Sequence, residues 1–394
     1  MPSQRDQEVL PQVAVCVDKS RKYGRKVLQG IADYAETVGR WSLIVDSMAT
    51  GSYSADWLKD WKGDGILAYV ESRATAKRLR ESGIPAVEVF GHLLDLKLPQ
   101  VGNDDAAIGR LAADHLLSCR FKHFAFCGYR QERWSERRRS GFEAVIAGRG
   151  FAVHHHFSVR AGSTLAQGQA DRELLMTWLQ SLPKPVAIMA CSDRQGIRIL
   201  DACRRLQLIV PEEVAVIGVD NDEETCRLSS PPLSSVKDDG RKVGFEAARL
   251  LDDLMAKPKR RQVVPPLLVP PRGIAVRRST EVSAVDDPLI ALAMRHVREQ
   301  ACAGLRVSDL LAKFNVSRSV LYRRFNDALN RSPHEEILRV QLERAKRLLD
   351  ESDFTLERIA ELSGFQHSEY LSVAFKRELG QTPSEFRRQQ RLGT

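Results

Sequence analysis

The sequence of 394 residues is 43% hydrophobic and 28% charged, a composition typical of a soluble protein with two or three domains. Seven cysteines are scattered without a C-x-x-C pair, no apolar run is long enough for a membrane span, and no signal peptide is evident. We therefore expect a cytoplasmic protein without a membrane partner, and the net charge of +9 permits a polyanionic partner without establishing one.

Between residues 13 and 269 the sequence alternates short apolar runs with longer amphipathic ones. Helical patterns such as YGRKVLQGIADYAE separate runs that are rich in Val, Ile and Ala. This alternation indicates parallel sheets that are covered on both faces. The region is long for one open sheet, so we predict two lobes of the same architecture. The candidate strands are residues 13–17, 42–46, 65–70, 86–90, 123–128, 186–191 and 214–220.

Polar side chains follow several of these strands. Ligands of such folds bind outside the carboxyl ends of the strands. Carboxylates, an arginine and an aromatic plane suit a sugar, because they supply paired hydrogen bonds to hydroxyls and a surface for a C–H face. The predicted effector site comprises Asp18, Lys19, Trp134, Arg138, Ser192, Asp193, Asp220 and Asn221.

Other roles are open for part of this set. Asp193 and Asp220 could instead cap the helices that follow them, and we expect only one arginine of the run 137–139 to face the cleft. The histidines at 154–156 suggest a metal site, but consecutive strand residues point to alternating faces, so we predict none. No P-loop, G-x-G-x-x-G or G-x-S-x-G motif occurs, and we expect neither a cofactor nor catalysis.

The motifs of this region resemble those of LacI-type regulators and type I periplasmic binding proteins. The matching stretches are ACSDRQGIRIL, VAVIGVDNDEETCRLSSPPLSSV, D-x-x-x-x-G-x-x-A-A-x-H-L from Asp104, and R-x-x-G-F from Arg138. The resemblance implies that Arg138 and Asp220 bind the effector and that Ser192 contributes.

A small polar segment, residues 281–288, is predicted to link a sensor domain (1–280) to a second domain (289–394). Asp287 and Pro288 are the expected N-cap and first residue of a helix. Residues 285–394 hold 18 Lys and Arg against 16 Asp and Glu, so charge alone does not identify this domain as a nucleic-acid binder.

One pattern occurs twice between residues 307 and 386. Each copy predicts two short helices joined by a tight turn, at 315–316 and 364–365, and Ser332-Pro333 and Thr382-Pro383 each open a capping box with a glutamate at N3. Residues 335–349 form the predicted linker helix between the copies. Two helix-turn-helix units would place two helices in the DNA major groove. A small helical domain that binds protein is the alternative.

The recognition helices can be divided into core and DNA-facing residues. We expect Leu321, Phe325, Leu371 and Phe375 to face the core. The residues predicted to face DNA are Arg318, Ser319, Tyr322 and Arg323 in the first unit and His367, Ser368, Glu369 and Ser372 in the second. In the first unit, the guanidinium of Arg323 could bind guanine. In the second, the carboxylate of Glu369 could accept a hydrogen bond from cytosine N4.

This segment resembles the AraC-type DNA-binding domain. The stretch IAELSGFQHSEYLSVAFKRELGQTPSEFRR fits the second repeat of that family nearly throughout. The departure is Val373, where the family often carries arginine, so a base or phosphate contact is in doubt there. The first repeat keeps Arg323 at the equivalent position.

The predicted fold class is an α/β two-lobed type I periplasmic-binding-protein-like domain plus an all-α domain with two helix-turn-helix units. Over its full length the chain resembles sugar-responsive regulators that fuse these domains. The resemblance implies a dimeric activator of pentose catabolic genes, with operator DNA as partner and D-xylose as the effector that repositions the DNA-binding domains. An activator could also contact RNA polymerase. The alternatives are a regulator of another sugar's operon, an α/β enzyme with a DNA-binding appendage, and a nucleoid or repressor protein whose first domain only dimerises.

Overall fold

The computed structural model describes residues 10–19, 22–38, 41–45, 60–70, 72–90, 96–130, 132–158, 165–256, 265–281 and 287–392. The chain divides into two compact units, Met1–Val282 and Ser283–Thr394, which we call the sensor and the reader. Residues 282–286 of the predicted linker lie outside the described residues, as does Asp46 at the end of the second predicted strand.

The first lobe of the sensor has parallel strands in the order β2-β1-β3-β4, and β5 pairs with β11 beside them. In β1, Val13 and Val15 pack against α1 and α8, whereas Ala14 and Cys16 pack against α2, so the strand is buried on both faces. Numbered in chain order, the elements are β1 (Gln12–Cys16), α1 (Lys22–Thr37), β2 (Ser42–Val45), β3 (Gly65–Ala68), α2 (Arg73–Glu81), β4 (Ala86–Glu88), β5 (Val101–Asn103), α8 (Gly240–Ala256) and β11 (Leu267–Val269).

The second lobe has a six-stranded sheet in the order β12-β10-β9-β8-β6-β7, in which only β12 is antiparallel to its neighbour. Its elements are α3 (Asp105–Ser118), β6 (His123–Tyr129), α4 (Arg133–Gly148), β7 (Val153–Ser158), α5 (Leu165–Ser181), β8 (Val186–Ala190), α6 (Asp193–Arg205), β9 (Val214–Val219), α7 (Glu223–Leu228), β10 (Ser234–Lys237) and β12 (Gly273–Ala275).

The seven strands predicted from the sequence are present, with ends that differ by one or two residues. The sequence analysis missed five strands, β5, β7, β10, β11 and β12. Four of them are only three or four residues long, and β7, which contains three histidines, is mainly polar. Among the described residues, no group of three or more His, Cys, Asp or Glu side chains could hold a metal ion, and no helix could span a membrane.

The chain crosses between the lobes three times, from β5 to α3, from β10 to α8, and from β11 to β12. The crossings are hydrogen-bonded to their neighbours. The amide of Asp104 donates to the carbonyl of Val269 (2.8 Å), and the amide of Arg272 donates to the carbonyl of Lys237 (2.8 Å). These crossings border the cleft between the lobes.

The reader is entirely helical. Its helices are α9 (Pro288–Gln300), α10 (Val307–Phe314), α11 (Arg318–Leu329), α12 (Pro333–Glu351), α13 (Leu356–Leu362), α14 (Ser368–Leu379) and α15 (Pro383–Leu392), with a 3-10 turn at Ala301–Ala303. The predicted N-cap Asp287 and both predicted capping boxes are present. The turn and the end of the recognition helix are left-handed in both copies, at Asn315 and Asn330 and at Gly364 and Gly380. The two copies therefore share the backbone conformation of these positions as well as the sequence pattern.

Glycines bring helices into close contact in both lobes. A Cβ atom at Gly30 of α1 would overlap the carbonyl oxygen of Arg241 in α8, and one at Gly141 of α4 would overlap that of Ala106 in α3. Only glycine permits such an approach. In the second lobe this packing brings the start of α3 next to α4.

We expect Gly141→Ala to lower the free energy of unfolding of the sensor by about 1–3 kcal/mol, because the added methyl group meets backbone that cannot move aside easily. The control is Gly148→Ala on the same helix, which has open space around it and should be neutral or stabilising by about 0.4–1 kcal/mol. Urea denaturation followed by tryptophan fluorescence reports on the sensor, since all five tryptophans lie there. Equal stability of both variants would contradict the close packing.

Candidate effector site and DNA-binding surface

Arg138 on α4 is the centre of a buried charge cluster beside the crossings between the lobes. Its Nε donates to Asp105 Oδ1 (3.0 Å) at the start of α3, and its Nη1 donates to the carbonyl of Cys191 (2.6 Å) at the end of β8. The same Nη1 lies 3.4 Å from Asp220 Oδ1. Burial alone would lower the pKa of Arg138, but the carboxylates of Asp105 and Asp220 raise it above its ordinary value.

Its two neighbours have different surroundings. Arg137 also pairs with Asp105, at 2.8 Å, but is less buried, whereas Arg139 pairs with Glu143 on its own helix (3.0 Å). The middle arginine is thus the one that reaches Asp220 at the cleft.

Trp134 lies one turn before Arg138 on α4. The guanidinium carbon of Arg138 is 4.9 Å from the centroid of the Trp134 ring, and the indole N–H donates to Glu132 (2.8 Å). The sequence predicted that this ring stacks on a sugar. One of its faces stacks on the guanidinium, so the ring orients Arg138, and the contact with a sugar stays a prediction.

Asp220 follows β9 with a backbone φ of 103°, and Asn221 follows with 45°. Two consecutive non-glycine residues with positive φ are a strained arrangement of the kind that concentrates at functional sites. The side chain of Asp220 is 27% exposed, against 6% for Arg138, so Asp220 is the member of the pair that a ligand can reach directly.

Lys26 of α1 joins the first lobe to this cluster, and sequence reasoning missed it. Its Nζ donates to the carbonyl oxygen of Asp220 (2.6 Å) and to Asp238 Oδ1 (2.6 Å) beside the second crossing. One turn earlier, Lys22 pairs with Glu224 of α7 (2.6 Å). Two lysines on one helix therefore connect the lobes across the cleft.

Three buried polar atoms here have no hydrogen-bond partner among the described residues. They are Tyr23 Oη on α1, Asn103 Oδ1 at the end of β5 and Asp238 Oδ2 after β10. Burial, followed by the charges of Asp238 and Asp105, raises the pKa of Tyr23 well above its ordinary value, so its hydroxyl stays protonated. A buried polar atom without a partner costs free energy. A ligand that carries several hydroxyl groups could supply partners to all three.

Other predicted effector residues already have partners within the lobe. Asp193 accepts from Ser235 Oγ (2.6 Å) and from the amide of Asp222 (2.7 Å), and Asn221 Oδ1 accepts from Arg277 (2.8 Å). These hydrogen bonds hold the ends of β8, β9 and β10 together, and effector binding by the two residues stays a prediction. Ser192 is the N-cap of α6. Asp18 is half-buried beside α1, and the Lys19 side chain is exposed.

Several carboxyl groups around the cleft are buried, among them Asp105, Asp193 and Asp238. Burial raises the pKa of Asp220 to about 8, although Arg138 opposes this, and burial also raises the pKa of Asp193 to about 6. Burial raises the pKa of Asp238 too, against the effect of Lys26. Such surroundings favour a ligand that donates hydrogen bonds and disfavour an anionic one.

In the reader, Leu321, Phe325, Leu371 and Phe375 are fully buried, which confirms the predicted core side of both recognition helices. On α11 the residues predicted to face DNA are exposed, except Tyr322, which is half-buried and stacks under Arg318 (5.3 Å). Arg323 has no hydrogen-bond or ion-pair partner among the described residues, whereas the following Arg324 lies 3.4 Å from Asp287.

On α14, His367 and Glu369 are exposed as predicted, and Ser368 and Ser372 are half-buried. The hydroxyl of Ser372 donates to the carbonyl of Ser368 (2.9 Å), which occupies its proton. Sequence reasoning left two strongly exposed side chains of this helix, Tyr370 and Val373, out of the DNA-facing set.

Comparison with known proteins identifies the family. Residues 12–101 match the XylR N-terminal domain, 113–280 a periplasmic binding protein-like domain, and 310–389 a helix-turn-helix domain. The chain is 30% identical over 383 residues to the xylose operon regulatory protein of Haemophilus influenzae, which covers 95% of this chain and 97% of the relative. The chain belongs to the family of xylose operon regulatory proteins.

Solved structures agree with this family. The structure of the xylose-binding transcription activator xylR superposes with a TM-score of 0.79 at 28% identity, covering 96% of this chain and 97% of that one. A LacI family regulator from Mycobacterium smegmatis superposes with a TM-score of 0.57 at 19% identity over 69% of this chain and 99% of its own, a similarity of fold alone. The predicted fold class is confirmed. The prediction that the chain is a DNA-binding transcription regulator rather than an enzyme is also confirmed.

The raised pKa of Asp220 predicts how pH affects the stability of the sensor. Between the unfolded pKa, near 3.9, and the folded pKa, about 8, the folded state binds a proton that the unfolded state has lost. The free energy of unfolding therefore falls as pH rises through this window. Asp220→Asn removes this contribution, because asparagine does not ionise. We expect the melting temperature of Asp220→Asn minus that of the wild type to increase as the pH is raised from 6 to 9.

The matched control is Asp201→Asn. Hydrogen bonds from Arg205 and Arg204 lower the pKa of this helix-surface carboxylate, so it is ionised throughout the same range. Thermal melts of both variants should show a pH-dependent difference only for Asp220→Asn. A difference that is constant between pH 6 and pH 9 would show that Asp220 does not titrate there.

Proposed function

We propose that this chain is a sugar-responsive activator of pentose catabolic genes and that D-xylose is its effector. The observation that carries the proposal is the set of unpartnered atoms of Tyr23, Asn103 and Asp238 next to the ion pair of Arg138 and Asp220. These groups offer hydrogen bonds to several hydroxyls of one small ring. The names of the relatives, which include a xylose-binding activator, support the choice of sugar.

These buried carboxyl groups favour an uncharged sugar as the ligand. A sugar phosphate or a sugar acid would bring a further buried charge beside the carboxyl groups of Asp220 and Asp238, whose own ionisation burial already disfavours. The hydroxyl groups of a neutral sugar donate hydrogen bonds to the same oxygens.

Effector binding is coupled to DNA through closure of the lobes. The lysines of α1 connect the lobes, and a ligand that also contacts both lobes favours the closed arrangement. In the proposed homodimer, closure changes the placement of the two readers and hence the half-site spacing they accept. In this proposal, residues 281–288 link the sensor to the reader. The protein acts in the cytoplasm, where its operator DNA lies. As an activator, it also contacts RNA polymerase.

The effector assignment is tested with aldopentoses and aldohexoses, in thermal shift assays and titration calorimetry on the full chain. We expect D-xylose to give the largest stabilisation. Arg138→Ala should weaken its binding by about 2–4 kcal/mol, because Asp220, which the sugar contacts, loses its charged hydrogen-bond partner in a desolvated cleft. Arg139→Ala is the control, since Arg139 pairs with Glu143 and should keep the wild-type affinity.

Each other outcome is informative. Stabilisation by a different sugar, still lost in Arg138→Ala, would correct the effector but keep the site. Wild-type affinity in Arg138→Ala would refute the site itself, and turnover of a sugar would favour the enzyme alternative.

For the DNA contact, Arg323→Ala should cost about 1–3 kcal/mol in operator binding and relax the preference at one guanine, since its unpaired guanidinium is free to bind O6 and N7. Arg324→Ala is the matched control, because Arg324 is engaged with the N-cap Asp287. Binding-site selection on both variants and on Glu369→Ala measures the effect. If only Glu369→Ala changes the selected sequence, the first unit does not supply most of the base-specific energy.

A further inference from the structure

The outward face of α14 carries an apolar centre. Val373 is 66% exposed and Tyr370 is 65% exposed, on a helix whose inner side is formed by Leu371, Ala374 and Phe375. At 3.6 residues per turn, Glu369 and Val373 lie farthest from that core side. Val373 stands two residues after the buried leucine and two before the buried phenylalanine, as Arg323 does on α11.

The two recognition helices thus present opposite chemistries at one equivalent position. Arg323 can donate paired hydrogen bonds to guanine, whereas valine has no donor or acceptor on its side chain. An exposed apolar side chain on an ordinary surface needs no explanation. At the centre of a helix that enters the major groove, however, it faces base edges, of which the 5-methyl group of thymine is the apolar one.

We propose that Val373 is a specificity-determining residue that contacts the 5-methyl group of a thymine in the half-site bound by α14. The proposal rests on the proposed DNA contact of this helix. In a helix the side chain of valine occupies largely one rotamer, so its two methyl groups are held in place before binding. The face of α14 therefore selects thymine where the face of α11 selects guanine.

The neighbours of Val373 support DNA as the partner. Glu369, one turn earlier, is exposed and can accept a hydrogen bond from a base amino group, while the Ser372 hydroxyl donates to the Ser368 carbonyl. Lys376 and Arg377, next along the helix, are exposed and basic. An apolar centre with basic residues at its edge complements thymine flanked by phosphates better than it complements an apolar protein surface.

The test removes one methyl group from the DNA. In an operator selected by the wild-type protein, each thymine of the second half-site is replaced in turn by uracil, which keeps every hydrogen-bonding group. We expect one position at which the wild-type affinity falls about fourfold, the factor that corresponds to burial of a single methyl group. Val373→Ala should bind the thymine and uracil operators equally well, and its exposed position should leave the melting temperature unchanged.

Arg323→Ala is the control variant. It should lose preference for its guanine and keep the thymine-to-uracil effect, since the two residues contact different half-sites. Equal wild-type affinity for all uracil operators, or a uracil effect that persists in Val373→Ala, would refute the role of Val373.

Footprinting separates this failure from a failure of the underlying DNA contact. If the second half-site is protected but shows no uracil effect, only the assignment of Val373 is wrong. If that half-site is unprotected, α14 does not enter the groove, and both proposals fail. Protection together with the uracil effect supports both.

Discussion

The ion pair between Arg138 and Asp105 is the interaction on which the sensor depends. A buried guanidinium requires partners, because an unpaired charge in a protein interior is strongly destabilising. Its partners are Asp105, which follows the first crossing between the lobes, the carbonyl at the end of β8, and Asp220. Lys26 connects α1 to the second crossing in the same way. The groups of the proposed effector site are therefore bonded to the segments that connect the two lobes.

The same arrangement lowers the intrinsic stability of the sensor. Asp220 combines a positive φ with a carboxylate whose pKa burial raises, and three further polar atoms are buried without partners among the described residues. None of these features improves packing, and each can be relieved by a ligand that donates and accepts hydrogen bonds. The unfavourable free energy is concentrated at the cleft, while the sheets around it are apolar and closely packed. That distribution is expected of a protein whose folded ensemble must respond to binding.

Sequence reasoning succeeded where the signal is local. The strands within apolar runs of five or more residues, the capping boxes and the buried pair on each recognition helix follow from spacings of two to four residues. Arg138 and Asp220 were found because the family motifs contain them. Lys26 and Asn103 were missed, since a lysine on an amphipathic helix and an asparagine after a three-residue strand look like ordinary surface residues. Their role arises only when distant segments meet at the cleft.

The structure also limits how a signal can act on the reader. Gln341 of α12 donates to the carbonyl of Ala301 (3.0 Å), before the first helix-turn-helix unit, and to that of Gly364 (3.1 Å), in the turn of the second. A Cβ atom at Gly364 would lie 2.6 Å from the Ala301 carbonyl oxygen, so this turn packs directly on the chain that leads into α10. Buried hydrogen bonds and backbone contact therefore fix the separation of the two recognition helices within one reader. The proposed effector cannot easily change that separation, so we expect it to act by moving whole readers relative to each other in the proposed dimer.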